Sequence, residues 1–236
     1  FGDILAGYYA KQMGLPVGRL VCASNQNNVL TDFLSTGTYT AKREFYKTTS
    51  PSMDILVSSN LERQLFELTG RNGEAIRQWM ADLADARCFR VDAETFRRVR
   101  ENFSADSVDN ATCLATIREV LDAHDYLLDP HTAVAYAAAQ NLRGENPVLI
   151  ASTAHWAKFG NNVYRALHGI EPSGELPAAV AALTGCELNK LIAEETGKHH
   201  IPAGLANLDT MQVRFTEVID NDVEAIEGAA EAFLAR

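Results

Sequence analysis

The 236-residue chain is long enough for one large or two small domains, and its 47% hydrophobic and 22% charged residues exclude a disordered polymer. A formal net charge of -10, from 21 Lys and Arg against 31 Asp and Glu, argues against nucleic acid and anionic membranes as partners. Cys22, Cys88, Cys113 and Cys186 are far apart and form no CxxC pair, so they read as free thiols of a cytoplasmic protein, and no apolar run approaches the ~20 residues of a membrane span.

The chain begins with Phe1-Gly2-Asp3 and runs straight into an apolar stripe, Ile4, Leu5, Tyr8, Tyr9 and Met13, that predicts a helix over 4–13 ending at Gly14 and Pro16. "RLVCASN" (19–25) reads as a short buried strand and "VLTDFLSTG" as a helix closing on Gly37. A Thr- and Ser-rich stretch at 46–52 reads either as the lining of a polar cleft or as an ordinary loop. Helices are expected over 60–69, 74–87, 93–103 and 111–123, with "FSADSVDN" (103–110) as a loop. Asp129 and Pro130 then give a helix start, N-cap and first helical position. "VLIAS" (148–152) has the continuous apolar character of a parallel strand buried on both faces, passing directly into a helix from "TAHWAKF" onward. Residues 170–236 read as a helical tail with Pro and Gly breaks. Helix and strand alternate, which predicts an α/β fold with a mostly parallel sheet flanked by helices.

In such folds ligands bind beyond the carboxyl ends of the strands. Gly2 could let the backbone approach an anion at a helix N-terminus, or be a loop glycine before a helix-starting Asp3. Thr153 could present its hydroxyl to a ligand, or cap the helix near His155; Lys158 could meet an anion or sit in solvent. His131 is expected to be structural at the start of its helix, and His199 with His200 to be a surface pair and not a metal site.

Taken together, "FGDILAGYYAKQMGLP", "LVCASNQNNVLTDFLSTGTY", "TTSPSMDILVSSNLERQLFELTG", "DPHTAVAY" and "STAHWAKF" resemble the later half of threonine synthase across about residues 1–168. The resemblance implies a catalytic domain of the fold type II, tryptophan-synthase β-like class, with its end at 1–169 and a helical extension at 170–236. It implies pyridoxal 5'-phosphate (PLP) as cofactor and conversion of O-phosphohomoserine and water to threonine and phosphate. Phe1, Gly2 and Asp3 would be the last residues of the family's phosphate cradle, and Thr153 would face the pyridine nitrogen. Trp156 stands where the family pattern often has Pro. No lysine here fits the Schiff-base motif, which lies upstream of the cradle in the family. No catalytic residue is therefore expected in this chain, its partner would be the missing N-terminal part of the same polypeptide, and the piece alone would be inactive and prone to aggregate. Competing expectations are a related phospho-lyase with another substrate and a non-catalytic binding homologue.

Overall fold

The computed structural model describes every residue except Arg143, His199 and Arg236. Helix α1 (Gly2–Gln12) leads into strand β1 (Leu20–Ser24), and α2 (Val29–Thr36) follows, closed by Gly37 in the left-handed region at φ 73°. Strand β2 (Thr38–Thr40) comes next, then a 3-10 turn at Pro51–Met53 and helices α3 (Leu61–Leu68) and α4 (Gly73–Ala86). Strand β3 (Cys88–Arg90), α5 (Ala93–Asn102), β4 (Phe103–Ser107) and α6 (Asn110–His124) complete the first part. Helix α7 (Pro130–Leu142) is followed by a 3-10 turn at Trp156–Lys158 and α8 (Gly160–His168). The remainder is helical: α9 (Ala178–Ala181), α10 (Gly185–Thr196), α11 (Ala203–Ala206) and α12 (Val223–Leu234).

Strand β1 pairs in parallel with β4, Leu20 opposite Phe103 and Ser24 opposite Ser107, so the crossover between them carries α2 to α5. Strands β2 and β3 form a separate antiparallel pair centred on Tyr39 and Phe89, whose rings stack at 5.2 Å. Two apolar cores result. One gathers Phe33, Tyr39, Leu65, Trp79, Phe89 and Phe103 around the strands. The other joins α6, α7, α8 and α10 through Ile117, Val134, Val163 and Ile192. The alanines of α7 (Ala133, Ala137, Ala138) let α6 and the β1–β4 sheet approach it closely. Helix α10 shares the core of α8, whereas α12 buries none of its residues.

The α/β class stands: the fold is a mixed α/β arrangement, mostly helical with a small parallel sheet. Three local expectations are corrected. "FSADS" is a strand because β1 offers it a hydrogen-bonding edge, although its composition is that of a loop. Residues 148–152 form no strand, because no described residue supplies a ladder, and Leu149 is 87% exposed. The helix after "TAHWAKF" is not continuous: i to i+3 bonds from Lys158 and Phe159 close a 3-10 turn before α8 begins. No helix among the described residues is long and apolar enough to cross a membrane.

Candidate functional site

Helix α1 opens at Gly2, and the N–H groups of its first turn, like those of any helix, have no partner within the helix and lie at its positive end. Beside it, α3 opens at Asn60, which holds φ 70° and does not cap its own helix with its side chain. The Asn60 amide nitrogen lies 3.5 Å from where a Cβ on Gly2 would stand. The side-chain amide of Asn60, at the start of α3, thus faces the start of α1. A non-glycine residue in the left-handed region costs backbone energy, of order 1–3 kcal/mol in the least favoured cases, and occurs more often where a site needs it. The segment leading to Asn60 is pinned from beneath: the buried Tyr39 hydroxyl donates to the Leu56 carbonyl (2.9 Å) and accepts from the Ser58 N–H (2.7 Å).

Phe1 packs edge-on against Phe103 at 5.9 Å, which fixes the start of α1 against the first residue of β4. Asp3 is exposed in the first turn of α1. Thr153 is exposed on a separate segment. It does not cap the turn that follows: His155 does, its Nδ1 accepting from the Ala157 N–H at 3.2 Å. Burial, with the neighbouring His200, lowers the His155 pKa and keeps that nitrogen available as an acceptor. Lys158 is exposed, its ammonium 5.6 Å from the centre of the Phe159 ring. His199 lies outside the described residues; His200 stands edge-on to His155 at 6.3 Å. Among the described residues no group of three His, Cys, Asp or Glu could hold a metal.

The Thr- and Ser-rich stretch is buried at its centre, Thr49 and Ser50, and exposed at both ends. Directly after β1, the buried Asn25 donates from Nδ2 to Thr48 Oγ1 and Asp54 Oδ1, both at 2.8 Å. Thr49 donates twice to Asn110 Oδ1 at the start of α6, and Asn162 of α8 donates to the Thr49 carbonyl at 3.0 Å. The loop is therefore held by groups from β1, α6 and α8 beyond the carboxyl ends of the parallel strands. Alongside it opens a cleft of about 620 Å³ lined by Gln26, Arg43, Tyr46, Ser107, Asp109 and Asn141. That volume suits a small molecule.

His131, expected to be structural, has two partners. The Ser52 N–H donates to its Nε2 at 3.0 Å, so the proton sits on Nδ1, 3.0 Å from Asp129 Oδ1. The Asp129 carboxyl is 2% exposed. Burial raises its pKa, but hydrogen bonds from His131 and Thr132 outweigh that and hold it below the usual carboxylate range. Asn60 and Asp129 were not among the residues that sequence reasoning picked for a site. The signal for Asn60 was the polar "SSN" before a helix start; nothing local marked the reach of Asp129.

A family model for the C-terminal part of threonine synthase matches residues 132–192. The chain is 32% identical over an alignment of 254 positions to threonine synthase of Saccharomyces cerevisiae, covering 100% of this chain and 45% of the relative. Threonine synthase-like 1 of Homo sapiens is 42% identical over 169 residues, 71% of this chain and 23% of that protein. The crystal structure of PLP-bound threonine synthase from Brucella melitensis superposes with a TM-score of 0.77 at 36% identity, covering 98% of this chain and 44% of that one. The fold is thus the one shared by threonine synthases of known structure. Within that class the chain aligns with the C-terminal portion of threonine synthases, and it spans less than half the length of the relatives it matches.

Proposed function

We propose that this chain supplies the C-terminal part of a PLP-dependent threonine synthase, a carbon–oxygen lyase of fold type II that forms threonine and phosphate from O-phosphohomoserine and water. The observation that carries it is the Asn60 amide, at the start of α3, facing Gly2 at the start of α1, in a chain homologous to threonine synthases. The residues present fit the cofactor's phosphate: the cradle is open where a Gly2 Cβ would project, and its donors are neutral amides and helix ends. Phe1, Gly2 and Asp3 would hold that phosphate through backbone N–H groups, with Asn60 as a further donor. Thr153 would offer a neutral hydroxyl to the pyridine nitrogen, which, unlike an Asp, would not keep the ring protonated. PLP, when bound, supplies an electron sink for carbanion chemistry.

The Schiff-base lysine belongs to the N-terminal part of the polypeptide, which is also the chain's partner. The exposed run 148–152 would find its strand neighbour there. Residues 1–169 serve the catalytic domain and 170–236 form an extension; the shared core of α8 and α10 makes this a division of roles and not of packing. Four free thiols support a cytoplasmic setting. A second reading is a phospho-lyase acting on a different phosphorylated amino alcohol; the 42% identity to threonine synthase-like 1 fits either substrate.

The full-length protein containing this chain, given O-phosphohomoserine, is expected to release phosphate and threonine in equal amounts. Phosphate release from another phosphorylated amino alcohol but not from O-phosphohomoserine would point to the second reading, and PLP binding with no turnover of any phosphorylated amino alcohol to a binding homologue. Gly2→Ala is expected to weaken PLP binding about tenfold with little change in stability, since the added Cβ makes only ordinary contact with Asn60. Unchanged PLP affinity in that variant would remove Gly2 from the cradle.

A further inference from the structure

The start of α7 carries a buried polar unit whose two arms reach different segments. Asp129, His131 and Thr132 are 2%, 5% and 5% exposed. Through Oδ1, Asp129 accepts from the backbone N–H of His131 at 2.8 Å and faces the His131 imidazole at 3.0 Å. That imidazole in turn accepts the Ser52 N–H and packs on Phe159, ring centres 4.5 Å apart. This arm grips the Thr- and Ser-rich loop.

Through Oδ2, Asp129 accepts the hydroxyl proton of Thr132. Thr132 Oγ1 lies 3.1 Å from Ser152 Oγ. A hydroxyl has one proton, and that of Thr132 is committed to the carboxylate, so Ser152 is the donor in this contact. The second arm therefore reaches the residue next to Thr153. The ordinary work of an N-cap is done by Oδ1 alone, and the relay on Oδ2 is additional to it.

We propose that the Asp129–Thr132 relay is a positioning device that sets Thr153 relative to the loop at residues 48–54. This rests on the reading of Thr153 as a cofactor contact. Thr153 itself is exposed and makes no capping bond; the Ser152–Thr132 contact ties its segment to the buried core on one side, and Trp156 and Ala157 anchor it on the other. The polar groups of the unit are mutually satisfied in a buried setting, which makes the arrangement stiff and sensitive to loss of a single hydroxyl.

Thr132→Val separates the two arms, because it deletes the relay and leaves the Oδ1 cap and the His131 link in place. In the cofactor-free full-length protein, hydrogen exchange of the amides at 152–154 is expected to accelerate at least tenfold in this variant, while the Ser52 amide stays protected. In the presence of PLP, Thr132→Val is expected to bind the cofactor about tenfold more weakly and with an altered absorption spectrum, and Thr132→Ser to restore both. Unchanged exchange at 152–154 overturns the coupling whatever the cofactor does. Faster exchange there with wild-type PLP affinity and spectrum overturns the role of the relay in placing Thr153. A wild-type protein that takes up no PLP overturns the reading of the site itself, and is told apart by needing no variant.

Discussion

A buried carboxylate survives only where its neighbours favour the ionised form, and Asp129 shows how few residues suffice. Its pKa is pushed up by burial and brought below the usual range by His131 and Thr132. The sign of the consequence follows directly. A group whose folded pKa lies below its unfolded value, about 3.9 for Asp, contributes stability in full above that value and loses it as the pH falls through the folded pKa. Asp129→Asn is therefore expected to lower the urea midpoint at pH 7, with the difference from wild type shrinking below about pH 4. A difference that stays constant from pH 7 to pH 3 would show that the charge contributes nothing. The same residue shows why local sequence underdetermines a site. Asp129-Pro130 announces a helix start, and that is what the structure contains. The reach of Asp129 to Ser152, twenty-three positions on, is a product of packing.

Helices here begin with strong local signals and end up in places those signals do not specify. Asp109 caps α6 by accepting the Thr112 N–H at 2.7 Å, and that hydrogen bond also lowers its pKa. Asp109→Ala is expected to cost about 1 kcal/mol at pH 7 in urea unfolding, the ordinary value of an N-cap, and less in acid, where the wild-type carboxylate is itself protonated. The packing of α8 on α10 is set by a close approach. A Cβ on Gly160 would stand 2.9 Å from Asn189 Oδ1 and 3.3 Å from Leu188 Cδ2. Asn189 cannot step aside freely, because its Nδ2 donates to the Ala157 carbonyl at 2.8 Å in a buried setting. Gly160→Ala is expected to destabilise by about 1–3 kcal/mol, measured by thermal or urea unfolding. Strands behave oppositely to helices. "RLVCASN" gives itself away by composition, whereas "FSADS" becomes β4 only because β1 lies beside it, and "VLIAS" stays unpaired for want of such a neighbour.

Across the whole molecule, apolar surface is buried in two cores and left open at many positions, from Met13 and Leu149 to Val218 and Leu234 near the C-terminus. The same partition sorts the thiols. Burial pushes Cys22 and Cys113 up to about 11, while Cys88 is only partly buried on the β2–β3 pair. At pH 8 a thiol reagent is expected to modify Cys88 first, and Cys22 and Cys113 only on unfolding. Rapid labelling of all four in the native protein would contradict the buried packing around β1 and α6. The α/β class, the helical spans of α5 and α6, the capped start of α7, and the Gly37 terminus of α2 were legible in the sequence, because hydrophobic period, capping chemistry and glycine's left-handed freedom act over a few residues. So was the resemblance to threonine synthase, carried by long strings such as "SPSMDILVSSNLER". Tertiary structure alone decided that β4 is a strand, that Thr49 and Ser50 of the hydroxyl loop are buried, that Asn60 meets Gly2, and that Asp129 joins two distant segments. Each of these depends on a hydrogen-bonding edge or a burial that arises only when residues remote in the chain are brought together.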